Sequence, residues 1–137
     1  MKTGQIDLFT RRIRKPKPPS EMALHCAVAD TLRLDIAPQW IWLHCPNGEL
    51  RDDNVGRKLK RMGVRPGVSD ILLIGPPHGF VFALELKAKG EKPSQSQLMF
   101  IAEVKEAGGH ATWVDNYKDA IRVLDEWGAL RRKISVQ

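Results

Sequence analysis

The sequence has two cysteines and one tyrosine in 137 residues, and no unbroken apolar run approaches a membrane span, which takes about 18 residues or more. So few cysteines exclude a disulfide-stapled scaffold. Both stand next to a histidine, at His25-Cys26 and His44-Cys45, which raises the question of zinc. Neighbouring strand residues point to opposite faces, so His44 and Cys45 do not both reach one ion, and buried free thiols are the expected state. The opening stretch MKTGQIDLFTRRIRKPKPPS has no apolar block of the kind a secretory leader carries, and no export signal, membrane partner or organic cofactor is expected.

Acidic residues are also in deficit. There are 16 Asp and Glu against 22 Lys and Arg, a net charge of +6, which favours a polyanionic partner. The basic residues cluster at Arg11, Arg12, Arg14, Lys15 and Lys17, at Arg57, Lys58, Lys60, Arg61 and Arg65, at Lys87, Lys89 and Lys92, and at Arg131, Arg132 and Lys133. Each group alone reads as a solvated face. Together with the carboxylate pattern below, they read as a surface for nucleic acid.

Residues 1–19 are basic and proline-rich and read as a flexible arm, residues 20–128 as one globular domain, and residues 129–137 as a basic tail. Ser20 is placed to cap a helix reaching about Leu34, with Leu24, Val28 and Leu32 on its inner stripe. QWIWLHC reads as a strand closed by the turn PNGE. DDNVGRKLKRMG reads as a short helix with Val55, Leu59 and Met62 inward. A hairpin follows over GVSDILLIGPPHGFVFALELKAKG, then a helix over SQSQLMFIAEVKEAGG, a strand HATWVD, and a helix NYKDAIRVLDEWG carrying Ala120, Ile121, Leu124 and Trp127 on one face. This order predicts an α/β domain with a mixed central sheet flanked by helices.

The hairpin is the most apolar part of the chain, yet it carries Asp70, Glu85 and Lys87. Alternation puts Glu85 and Lys87 on one face. If Ile74 lies opposite Val81, Asp70 falls opposite Glu85, and a slip of one residue would turn Asp70 to the wrong face. Adjacent carboxylates repel. A divalent cation resolves the conflict, and oxygen donors suit Mg²⁺ or Mn²⁺, with the Leu86 backbone carbonyl as a further ligand. Lys87 would then orient or help activate the attacking water. The plainer reading is an ion pair of Lys87 with Glu85 or Asp70. Glu21 opens the first helix on its inner stripe, one turn before His25, and either approaches the same metal or complements the helix dipole. Gln97 is in phase with Ile101 and Val104, and reads as a site residue or a helix-start hydrogen-bonding group.

Taken together, Glu21, Pro46-Asn47-Gly48, Leu59-Lys60 with Gly63, Pro66-Gly67 to Asp70, Glu85-Leu86-Lys87 and Ser94 to Gln97 resemble, in order, the motifs of the VRR-NUC domain of the PD-(D/E)XK nuclease superfamily. The resemblance runs over residues 20–127. Ser69 departs from it, standing where the superfamily name has proline. The resemblance implies a restriction-endonuclease-like core, α-β-β-β-α-β, and a Mg²⁺- or Mn²⁺-dependent phosphodiesterase. It implies Asp70 and Glu85 as metal ligands, Lys87 as a catalytic residue, and Glu21 and Gln97 as supporting site residues. It further implies a cytoplasmic bacterial or phage enzyme, a homodimer similar to Holliday-junction resolvases, acting on branched DNA. Arg57, Lys58, Lys60, Arg61, Arg65, Lys89 and Lys92 are the expected phosphate contacts. A nuclease for flaps or duplex DNA, and a non-catalytic DNA-binding accessory protein on the same fold, are the alternatives.

Overall fold

A computed structural model describes residues 19–46 and 53–131. The basic arm, the Asn47-Gly48 part of the turn and the closing Arg132-Lys133 lie outside them, as does the side chain of Val55. The stripe expected from periodicity forms the inner face of helix α1 (Pro19–Asp35), with Leu24, Val28 and Leu32 buried. Strand β1 (Ile41–His44) is shorter than the apolar run that signals it. Helix α2 (Asp53–Arg61), strands β2 (Ile71–Gly75) and β3 (Phe80–Leu86), helix α3 (Gln95–Glu106), strand β4 (His110–Val114) and helix α4 (Tyr117–Glu126) follow.

The sheet order is β1-β2-β3-β4. β1 and β3 both run antiparallel to β2, and β4 joins β3 in parallel. This is the mixed sheet expected from the order of elements. Ile74 pairs with Val81 and Ile71 with Leu84, so continuing the register brings Asp70 opposite Glu85.

Strand parity divides the core. Ile71, Leu73, Phe82, Leu84 and Leu86 pack with α1 and α4, while Leu72 and Ala83 pack with Ile101 and Val104 of α3. Removing this much apolar surface from water is the main force holding the layers together, at about 25 cal/mol per Å². A polar tie supplements it: the Thr31 hydroxyl donates to the Ala27 carbonyl, and the Tyr117 hydroxyl, 2.6 Å from Thr31 Oγ1, donates to Thr31 from α4. The packed chain continues past residue 128. Ala129 and Leu130 are buried, and Leu130 bridges to Ile36.

One expectation fails locally. Met62 is 72% exposed, because α2 ends at Arg61 and the chain turns through Gly63 at a φ of +108°. Leu59 is half-buried, as its phase requires.

Trp40 turns over the end of β2. A Cβ on Gly75 would lie 2.6 Å from its ring, and Trp40 and Trp127 both pack on Phe82, with centroids 4.8 and 5.2 Å apart. Gly75→Ala is therefore expected to displace the indole and cost about 1–3 kcal/mol, measured as a lower urea midpoint with unchanged m-value.

Candidate metal centre

Three carboxylates from three elements meet at the far end of the hairpin. Glu21 comes from the first turn of α1, Asp70 from the residue before β2, and Glu85 from the penultimate position of β3. They are 7%, 7% and 2% exposed, and one oxygen from each lies within 4.8 Å of the others.

Asp70 is pinned at both its backbone and its side chain. Its Oδ2 accepts the Leu86 N–H at 2.9 Å, a cross-strand tie from the residue beside Glu85. Its carbonyl accepts the Cys45 N–H at 3.2 Å and faces His44 Nδ1 at 2.7 Å. The Leu86 N–H thus lies at the cluster.

Gln97 is the helix-start hydrogen-bonding group expected, and it also faces Glu85 and Lys87. Its Oε1 accepts the Ser94 N–H at 2.8 Å, while Ser94 Oγ accepts the Gln97 N–H, a reciprocal cap on α3. Its Nε2 donates to Glu85 Oε1 at 2.8 Å, and Lys87 Nζ reaches its Oε1 at 3.5 Å. One amide therefore fixes the start of α3, orients Glu85 and sets the reach of Lys87. Among the described residues Lys87 belongs to no carboxylate ion pair; its ammonium faces Gln97 Oε1.

Gly67 locks these pieces together. At a φ of +86° it passes so close to α3 that a Cβ would fall on the Ser96 carbonyl and 3.0 Å from the Gln97 amide nitrogen. The segment leading into Asp70 and the helix start carrying Gln97 are thus one packed unit. Ser69 beside them is 1% exposed, and its hydroxyl has no hydrogen-bond partner among the described residues.

The basic residues divide. Arg57, Lys58, Lys60 and Arg61 are exposed along α2, and Lys89 and Lys92 are exposed between β3 and α3. Arg65 is bound to Glu103 at 2.6 Å and lies over the Phe100 ring, so its charge is partly compensated. Asp115 ties down the loop carrying Lys89: its carboxylate accepts Asn116 Nδ2 at 2.9 Å and the Gly90 N–H at 3.1 Å. These bonds, that from Asn116 foremost, hold its carboxyl below the usual range. A depressed carboxyl stabilises the fold above its unfolded value and loses that contribution as pH falls through the folded one. Protection of the Gly90 amide from hydrogen exchange is therefore expected at neutral pH and should disappear in acid.

Sequence reasoning missed the two imidazoles. His25 and His44 meet with ring centroids 4.3 Å apart at 87°. The available signal was the spacing of Glu21 and His25, one helical turn apart on one face. The thiols are free but not buried as expected: Cys26 is exposed because it lies on the outer side of α1, and Cys45 is half-buried, where burial pushes its thiol up.

No protein-family model and no curated protein matches the sequence. Among solved structures, a VRR_NUC domain protein superposes with a TM-score of 0.61 at 19% identity, over 82% of this chain and 90% of that one. The chain has the fold of a VRR_NUC domain protein. On that VRR_NUC fold, the donor set is this chain's own: three buried carboxylates converging from a helix, a strand and the residue before a second strand. Among the described residues, no helix is long and apolar enough to cross a membrane.

Proposed function

We propose that the chain is an endonuclease, a Mg²⁺- or Mn²⁺-dependent phosphodiesterase that cuts branched DNA, four-way junctions above all, as a homodimer. The observation that carries this reading is the convergence of Glu21, Asp70 and Glu85 on one point, with Lys87 held alongside by Gln97. Three carboxylates this close repel one another when charged. Their hard oxygens fit Mg²⁺ or Mn²⁺ and leave positions for water. Glu21, Asp70, Glu85 and the Leu86 carbonyl would hold the ion. When bound, it would offset charge on the phosphate and make a water more acidic.

The remaining work falls to the protein. The Leu86 N–H and Gln97 Nε2 fix the directions of Asp70 and Glu85 before substrate arrives, which spares reorganisation during reaction. The Lys87 ammonium orients the attacking water and donates to a phosphate oxygen as charge builds there. Attack of the water at phosphorus breaks the bond to the 3′-oxygen; the water gives up its proton to solvent, the 3′-oxygen takes one up, and 5′-phosphate and 3′-hydroxyl ends remain. Arg57, Lys58, Lys60, Arg61, Lys89 and Lys92, with Arg65 where Glu103 releases it, hold flanking phosphates, and the basic arm adds to them. Phosphate contacts position a substrate without reading its sequence, so selection rests on DNA shape. A twofold dimer would present two sites to two symmetric strands.

The test is a panel of fluorescent substrates with Mg²⁺: duplex, single strand, flap, splayed arm and four-way junction. The junction is expected to be cut fastest. Equal or faster cutting of flap or linear duplex would move the assignment to a nuclease of that specificity. Tight junction binding with no nick in Mg²⁺ or Mn²⁺ would leave a DNA-binding accessory role.

A further inference from the structure

A second group of metal-ligating side chains adjoins the carboxylates. His25 of α1, His44 of β1 and Asp70 each bring one ligand atom within 4.8 Å of the other two. Asp70 belongs to this group and to the carboxylate group. We infer that His25, His44 and Asp70 form a second cation site, selective for borderline transition ions such as Co²⁺, Ni²⁺ or Zn²⁺ over Mg²⁺, and coupled to the first site through Asp70.

The donor chemistry separates the two sites. Three carboxylates are a hard oxygen set that suits Mg²⁺ or Mn²⁺, whereas two imidazoles with one carboxylate favour Co²⁺, Ni²⁺ and Zn²⁺ and hold Mg²⁺ poorly. The His44 ring already has one nitrogen engaged. A carbonyl oxygen only accepts, so the 2.7 Å contact between His44 Nδ1 and the Asp70 carbonyl places the proton on Nδ1 and the lone pair on Nε2. Donation from the other ring nitrogen to a backbone carbonyl is the usual support of a ligating histidine. Here the supporting carbonyl belongs to the residue that supplies the carboxylate.

His44 is also fixed by its strand, since it pairs with Ile71, the residue after Asp70. His25 is fixed by α1, one turn after Glu21. The approach is open: Asp70 is buried, but His25 is half-exposed and His44 exposed. Three protein ligands leave coordination positions for water or a phosphate oxygen. Two ions sharing a carboxylate is an arrangement that clamps both the attacking and the leaving oxygen of a phosphoryl transfer. That consequence rests on the nuclease reading; the site itself does not.

The experiment reads metal binding without DNA. Untagged full chain is titrated with Co²⁺, recording visible d–d absorption and the paramagnetically shifted imidazole proton resonances. Shifted signals from both rings are expected. In His25→Gln and in His44→Gln, Co²⁺ affinity should fall about tenfold or more, while the thermal stabilisation given by Mg²⁺ stays unchanged. Glu21→Gln should show the reverse: weakened Mg²⁺ stabilisation with both shifted imidazole signals kept. Circular dichroism confirms that each variant is folded, and a variant that fails it is replaced by the Asn substitution at the same position. Absence of shifted imidazole resonances in the wild type, or a Co²⁺ affinity unmoved by both histidine substitutions, would overturn the site. Neither readout requires cleavage, so loss of the nuclease reading and loss of this site give different results.

Discussion

Asp70→Asn is expected to reduce metal-dependent cleavage by a factor of about 10³ or more, while junction affinity changes less than about twofold. The substitution keeps size and shape and retains an oxygen to accept the Leu86 N–H, so the β2–β3 tie survives. It removes the charge common to both ligand groups. The cations that would bind phosphate lie on α2 and in the loop before α3, and they are untouched. Single-turnover cleavage at saturating protein separates chemistry from binding, and a mobility-shift titration in EDTA gives affinity. An Asp70→Asn protein that cuts at the wild-type rate would show that the carboxylates at this end of the hairpin are a structural cluster and that the chemistry lies elsewhere. Glu85→Gln should behave similarly, because Gln97 orients Glu85 without replacing its charge.

The largest stability effect is expected at Gly67, although that residue makes no chemistry. A side chain there meets the Ser96 carbonyl, which is backbone and cannot swing away, and the φ of +86° is one that L-residues adopt at a cost. Gly67→Ala is expected to lose about 3 kcal/mol or more, the range of strain combined with overpacking. The damage is also directional. Relief requires the 64–69 segment and the start of α3 to separate, which moves Asp70 from one side and Gln97 from the other. A denaturant melt should show the lower midpoint, and the fraction still folded should cleave more slowly than the wild type. Gly63→Ala is the control: it has positive φ as well, but a Cβ there meets nothing within 4 Å, so it should cost only the backbone strain, about 1–2 kcal/mol.

Much of the fold follows from spacing. Alternation in Ile71–Gly75 and Phe80–Leu86, joined by a tight turn, leaves few registers that bury both strands, and the one that pairs Ile74 with Val81 also aligns Asp70 with Glu85. The Leu24-Val28-Leu32 stripe identifies α1 because nothing in it breaks the helical period. What the sequence conceals is contact between distant segments. Gly67 and Ser96 are far apart in the chain, and a glycine read from sequence suggests a turn before it suggests a packing contact. In sequence His25 and His44 invite comparison only with their neighbouring cysteines, whereas in the fold each histidine lies beside the other and beside Asp70. Met62 misleads for another reason: α2 has too few residues for the helical phase to extend past Arg61, and the turn at Gly63 carries the side chain outward.

A thermal melt with and without Mg²⁺, run on the wild type and on Asp70→Asn, addresses the metal centre without needing a substrate. Mg²⁺ at about ten times its dissociation constant stabilises a native protein that binds it by about 1.4 kcal/mol, a rise of roughly 4 °C or more for a domain of this size. The wild type should show that rise and Asp70→Asn should not. An equal shift in both proteins, or none in the wild type at any Mg²⁺ concentration, would contradict the convergence of Glu21, Asp70 and Glu85 on a cation.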